Sequence, residues 1–292
     1  MRLPAKGGNA WENDVPATMP IRFALNHMVA PHLPLAAFFR LTRSLGLADV
    51  EIRNDIAGEA ILDGTPAVEV KRLAAAEGIT ILSINALQKF NHWSAARAAE
   101  AEALADYCAA AGAQALVLVA ANDGTGMGDD ERVANATEAL AGLRPILESR
   151  GVTGLVECLG FEICSLRSKR EAVEAIRAAR GEAVFRLTHD TFHHHLAGEP
   201  DLYPAMTGLI HISGVDDPAV AVRDMRDSHR VLVGPRDRLG NIAQIRVLRS
   251  AGYAGPLSFE PFAAELRSLA DPAAAIGDSM KFIRTQLAAA AA

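Results

Sequence analysis

The chain has 292 residues, half of them hydrophobic and 22% charged, with a formal net charge of −6. That length suits one large domain or two ordinary ones, and a single α/β barrel of about 250 residues is an accepted one-domain solution. Lysine and arginine form no run longer than a short local pair, and aromatic residues make up only 5%, so a nucleic acid finds neither a basic face nor many stacking platforms.

No apolar run reaches the roughly 18 residues of a membrane span. Residues 1–20 contain no apolar stretch of the secretory type and read as a disordered leader, with Met19 as an alternative start. Cys108, Cys158 and Cys164 form no C-x-x-C pair and lie in or beside apolar segments, as reduced thiols of a cytoplasmic protein do.

From residue 21 short apolar runs alternate with amphipathic segments. The expected strands are IRFALN (21–26), DVEIR (49–53), TILSIN (80–85), ALVLVA (115–120), GLVECL (154–159), VFRLTHD (184–190), GLIHIS (208–213) and PLSFEP (256–261). Each is short and rich in Val, Ile, Leu or Phe, as a strand buried on both faces should be. Between them lie helix-like stretches such as 35–46, 67–78, 94–113 and 130–151. Gly46, Gly78, Gly151, Gly181 and Gly252 precede the following strands, where a left-handed residue closes a helix. Eight such units fit between residues 21 and 288, which predicts an α/β fold, a single (β/α)8 TIM barrel, with a frayed tail at 289–292. A doubly wound open sheet would need a glycine-rich phosphate loop after its first strand, where this chain reads NHMVAP.

In a barrel the chemistry sits at the C-terminal strand ends. Those ends supply Asn26, Glu51 or Arg53, Asn85, Asn122 or Asp123, Glu157, Asp190, His211 and Glu260. Alternation puts Leu155, Leu209 and Ser258 on the inward face with their terminal residues, and turns Leu257 and Phe259 toward the helices. Three carboxylates and an imidazole from strands 5 to 8 suit one divalent ion, Mn²⁺ or Zn²⁺ first, with Co²⁺ and Mg²⁺ also open. Without an ion, carboxylates converging in a dry barrel mouth would repel.

These segments resemble the xylose isomerase-like TIM barrels, a group of sugar isomerases, ketose epimerases and endonuclease IV-type enzymes, and within it the 2-keto-myo-inositol isomerases. The likeness rests on FALNH, DVEIRND, INALQKFN, LVECLGFEICSL, LTHDTFHHHLAG, LIHIS, HRVLVG and LSFEPF, and runs through nearly the whole chain from residue 21. It implies that Glu157, Asp190, His211 and Glu260 hold the metal, that His193 contacts substrate, and that Arg230 donates to substrate oxygens. The chain departs from the group's P-G-x-G-x-I-D run, reading VGPRDRLGNI (233–242), in a loop expected to shape the substrate pocket.

The implied chemistry is isomerisation or epimerisation of a sugar or cyclitol through an enediolate, with Glu157 and Glu260 as catalytic acid and base. A hydride shift, which goes with a second metal, ranks lower. Asn26, Glu51, Arg53, Asn85 and Trp93 are candidate pocket residues. His189 is expected to pack as a core histidine, with His194 and His195 in a solvated polar loop. Two rivals stay open: an endonuclease IV-like zinc nuclease, for which Asp227 and His229 imitate a further ligand pair, and a keto-inositol dehydratase. The expected partner is a small sugar or cyclitol, with no nucleic acid and no membrane, and the sequence leaves a homo-oligomer open.

Overall fold

The computed structural model describes residues 20–56 and 64–289. The expected leader and tail lie outside the described residues, except for Pro20 and Ala289. Eight parallel strands close into a barrel in chain order: β1 (Phe23–Asn26), β2 (Asp49–Arg53), β3 (Thr80–Gln88), β4 (Ala115–Val119), β5 (Thr153–Glu157), β6 (Phe185–Asp190), β7 (Thr207–Ile212) and β8 (Leu257–Phe259). The helices are α1 (Leu35–Ser44), α2 (Ala67–Glu77), α3 (Ala95–Ala111), α4 (Asp129–Glu148), α5 (Lys169–Ala178), α6 (Thr191–Ala197), α7 (Asn241–Ser250) and α8 (Pro272–Ala288). None of the described helices is long and apolar enough to cross a membrane.

Period-two alternation divides the apolar side chains into two cores. Ala24, Leu82, Ala86, Ala115, Val117, Leu155 and Leu209 fill the barrel. Phe38, Phe39, Phe185, Leu257 and Phe259 belong to the layer between barrel and helices. Truncating any of these buried rings would cost about 3–5 kcal/mol. The inward pattern is apolar at the base and polar at the C-terminal mouth: apart from the wholly apolar β4, each strand carries a polar group upward on an apolar stem, at its end or just beyond it.

Register sets the height of those groups. Asp190 lies opposite His211, and His211 opposite Ser258. Glu260 follows β8, its amide still donating to the Ile212 carbonyl at 2.9 Å. Asn26 pairs with Glu51, and Arg53 with Asn85, on the other side of the mouth.

Gly46, Gly78, Gly151 and Gly252 are left-handed, with φ between 62° and 98°, but Gly181 is not. Arg180 takes the positive φ of 51° there instead. Gly181 is small for another reason: a Cβ would stand 2.4 Å from the Phe185 ring. Gly160 matters in the same way. A Cβ there would meet the His193 carbonyl at 2.2 Å and Leu196 Cβ at 2.6 Å, so the loop after β5 presses directly on α6.

Candidate active site

The segment around Asp190 explains how one aspartate serves two ends. Asp190 closes β6 and caps α6, one carboxylate oxygen (Oδ1) accepting the His193 amide at 2.9 Å. Oδ2 is left for the barrel mouth, 2.6 Å from Arg230 Nη2 and 3.9 Å from His211 Nδ1. His194 and His195 therefore stand on a helix rather than in the expected polar loop, because Asp190 supplies an N-cap and Gly198, at φ 66°, a C-cap.

Around His211 the four expected ligands come together. Its Nδ1 lies 3.1 Å from Glu157 Oε1 and 3.2 Å from Glu260 Oε2. One donor atom from each of Glu157, Asp190, His211 and Glu260 falls within 4.8 Å of the others, and all four residues are buried. The opposite ring nitrogen, Nε2, faces Glu51 Oε2 at 3.1 Å. Glu51 is fully buried and also accepts from Ser83 at 2.6 Å, Asn85 at 2.9 Å and the Ser258 hydroxyl.

Two guanidiniums complete the site. Arg230, 1% exposed, bridges Asp190 Oδ2 at 2.6 Å and Glu260 Oε2 at 3.0 Å, while Nε donates to Ser213 and Nη1 to Asp227. Its guanidinium lies 4.6 Å from the Phe262 ring centroid and 5.0 Å from that of Phe192. Arg53 donates to Glu260 Oε1 at 2.9 Å and holds Asp55 with a bidentate grip. Asn26 donates to the same Glu260 oxygen at 3.2 Å.

The surroundings push the two catalytic candidates apart. Burial raises the proton affinity of Glu157, and the Glu260 and Asp190 charges add to it, against His211. Glu260 is buried as well, but His211, Arg230 and Arg53 hold it ionised well below the usual carboxylate range. His211 keeps a proton far above its usual value: burial opposes this, and the carboxylates of Glu260, Glu51 and Glu157 overcome it.

The donor set fits a divalent cation. The carboxylates of Glu51, Glu157, Asp190 and Glu260 outnumber the guanidiniums of Arg53 and Arg230, which also serve Asp55 and Asp227, so a divalent ion that takes the place of the extra His211 proton meets unmatched negative charge. Three carboxylate oxygens and one imidazole nitrogen are ligands that Mn²⁺ and Zn²⁺ both accept.

Above the cluster opens a cavity of about 370 Å³. Glu157, His193, Arg230, Glu260, Asn85 and Arg53 all line it, with Phe161 and Phe262 as apolar walls. His193 is 4% exposed, its ring sits edge-on to Phe161 and Phe192, and its Nδ1 has no hydrogen-bond partner. Three other expected pocket residues lie outside the lining, among them Asn26, which holds Glu260 instead. Glu51 lies beneath His211, outside the lining, and Trp93 packs against Gly142 of α4, where a Cβ would meet its ring at 2.3 Å.

Residues 233–242 do not line the cavity either. Asp237 and Asn241 fold that loop onto itself and onto the Ser213 carbonyl, so its departure from the group's pattern is absorbed locally. Lining residues that strand ends alone could not reveal are Phe161, Phe262, Lys89 and Asp227, which arrive from loops.

His189 packs outside the barrel as expected, fully buried, with Nε2 2.8 Å from Gln244 of α7. Beside it His194 Nδ1 accepts from Lys169 Nζ at 2.6 Å. Burial, and then the Lys169 charge, push His194 down to about 4. A histidine depressed in the folded state binds fewer protons than the unfolded chain, so stability falls as pH drops from about 6.5 toward 4. The loss should be roughly 2 kcal/mol after allowance for partial exposure. Urea midpoints across that window should fall less in His194→Gln than in the parent; parallel curves would refute the assignment.

With this geometry in place the chain can be set beside known proteins. The profile of the xylose isomerase-like TIM barrel matches residues 39–286. The chain belongs to that family. A xylose isomerase domain-containing protein from Salmonella typhimurium LT2 is 32% identical, with a TM-score of 0.83 over 95% of this chain and 100% of that one. The IolI protein, solved with a bound zinc atom, gives 20% identity and 0.80 over 92% and 99%. An L-ribulose 3-epimerase gives 20% and 0.68 over 93% and 96%. No curated protein matches the sequence. At 20% identity the last two likenesses establish a shared fold.

Proposed function

We propose that the protein is a metal-dependent isomerase or epimerase that moves a proton alpha to the carbonyl of a sugar or keto-inositol. The observation that carries this is the pairing of Glu157 and Glu260 around one imidazole at the floor of a polar cavity, with their proton affinities pushed in opposite directions. The zinc of the IolI structure and the epimerase likeness point the same way.

Glu157, Asp190, His211 and Glu260 would hold the ion, whose contribution when bound is Lewis-acid polarisation of the carbonyl. Glu260 enters ionised, matched by Arg53 and Arg230, and suits the role of base that takes the carbon-bound proton. Glu157, whose environment favours the protonated form, suits donation of its own, solvent-derived proton to the substrate, after which exchange with water restores both carboxyls. Epimerisation delivers that proton to the same carbon from the other face; isomerisation delivers it to the neighbouring carbon. Arg230 stabilises negative charge developing on substrate oxygen, working from a buried, aromatic-walled position where such a charge is felt strongly. His193, with its unpartnered Nδ1, is placed to meet a substrate hydroxyl. Phe161 and Phe262 cover the apolar face of a ring.

The test is metal content of untagged protein together with solvent-deuterium incorporation by NMR, over a panel of ketoses and keto-inositols in D₂O. About one ion per chain, lost in the Asp190→Ala, His211→Ala double variant, with deuterium entering alpha to the carbonyl, is the expected result. Loss of water from the substrate would convert the reading to a dehydratase. Two or three zinc ions per chain would favour the nuclease. Against that rival, among the described residues the ligand-competent side chains form a single group of four. Asp227 is engaged by Arg230, and His229 accepts the Arg226 amide. No bound metal, and no affinity for added Mn²⁺, would remove the mechanism.

A further inference from the structure

We infer that Glu51 is a positioning residue for the metal site: it fixes the tautomer and plane of His211 so that Nδ1 presents its lone pair to the ion. This rests on the metal-dependent reading above. Glu51 is fully buried and absent from the cavity lining, so substrate contact does not account for it. A carboxylate taken out of water is costly unless its oxygens are fully hydrogen-bonded. Here four donors from three other strands converge on it. Oε2 accepts from Ser83 at 2.6 Å, Asn85 at 2.9 Å and His211 at 3.1 Å, and Oε1 accepts from the Ser258 hydroxyl.

The consequence lies in the imidazole. A neutral histidine carries one ring proton, and the nitrogen that keeps it cannot ligate. Around Nδ1 stand Glu157 at 3.1 Å, Glu260 at 3.2 Å and Asp190 at 3.9 Å, three acceptors that would draw the proton to the side where the ion must bind. Among the described residues Glu51 is the carboxylate that faces Nε2, and it draws the proton the other way. Because Glu51 is itself held by β3 and β8, the ring plane is fixed along with the proton. A histidine ligand anchored through its far nitrogen is a more basic and better oriented donor.

The experiment combines metal affinity with direct observation of the ring. In Zn²⁺-loaded, ¹⁵N-histidine-labelled wild-type protein, with His211 assigned by its loss in His211→Asn, the spectrum should show Nδ1 ligated and Nε2 protonated. Zn²⁺ and Mn²⁺ dissociation constants, measured by chelator competition, should rise about 100-fold in Glu51→Ala and about 10-fold in Glu51→Gln. Glutamine does less harm because its carbonyl can still accept from Nε2–H while its amide donates to Ser258. Thermal melts in EDTA separate a merely structural role, which would lower the melting temperature and leave both dissociation constants unchanged.

Unchanged constants, or zinc on Nε2, would overturn the inference and leave the proposed function standing. Should neither variant fold, the wild-type spectrum decides alone. A wild-type protein that binds neither ion would sink both readings at once.

Discussion

Glutamine at Glu157 or at Glu260 is expected to slow proton exchange at the substrate carbon by about a thousand-fold even with the metal site saturated, since each removes one partner of the acid–base pair. The two variants should differ sharply in stability. Glu157 has a folded-state proton affinity above that of the unfolded chain, whose value is near 4.5. Such a group costs stability once the pH rises past that value, because folding must then either discharge it or bury its charge. A neutral amide escapes the cost, so Glu157→Gln should melt in EDTA at or above the parent temperature.

Glu260 has the opposite sign. Its ionised form is what Arg53, Arg230 and Asn26 are arranged around, at 2.9, 3.0 and 3.2 Å. Its amide leaves two buried guanidiniums short of a counter-charge, and Glu260→Gln should lose about 2–3 kcal/mol. Melting curves in EDTA and exchange rates in D₂O on the same preparations check both halves. Wild-type exchange in either variant would sink the acid–base assignment; equal stabilities would sink the electrostatic account of the site.

How far the sequence alone could go is visible at particular residues. The four ligand candidates sit on strand ends whose apolar runs bound them closely, and period-two alternation then decides which side chains point inward. Leu155, Leu209 and Ser258 are inside and Leu257 and Phe259 outside for that reason. What alternation does not carry is height and partnership. Glu51 and Glu157 both read as inward carboxylates on β2 and β5, yet one lies beneath the imidazole and the other lines the cavity.

Arg53 and Arg230 show the same limit. Arg230 reads as a donor to substrate and Arg53 as a pocket residue, yet in the structure their nitrogens largely hold protein carboxylates. Only the register that brings β8 beside β1 and β7 reveals this. Trp93 and the helix after Asp190 failed for local reasons: a glycine on α4 accommodates the indole, and a capping aspartate turns a His-rich tract into a helix. Phe161 and Phe262 reach the cavity from loops, which periodicity does not address.

Arg230→Met makes the strongest demand on the electrostatic picture, because it should move stability and metal binding in opposite directions. The guanidinium holds Asp190 and Glu260 together at 2.6 and 3.0 Å from inside an almost fully buried position. Without it Asp190 Oδ2 and Glu260 Oε2 lose the cation they share, although Glu260 keeps Arg53, and the protein in EDTA should lose about 3 kcal/mol, the usual result of deleting one partner of a buried ion pair. The same deletion removes a positive charge from the edge of the cation site. A divalent ion then meets a more negative cluster and supplies the counter-charge that the arginine gave, so its dissociation constant should fall. Since stabilisation by a ligand grows with the logarithm of its concentration over that constant, saturating Mn²⁺ should raise the melting temperature of Arg230→Met by more than it raises the parent's.

Turnover would not follow stability back, because the donor aimed at developing substrate charge has gone; a loss of about 100-fold or more is expected for one such donor. Weaker metal binding in Arg230→Met would mean that the arginine's main effect on the ion is to orient Asp190, and the charge balance drawn for the site would have to be abandoned.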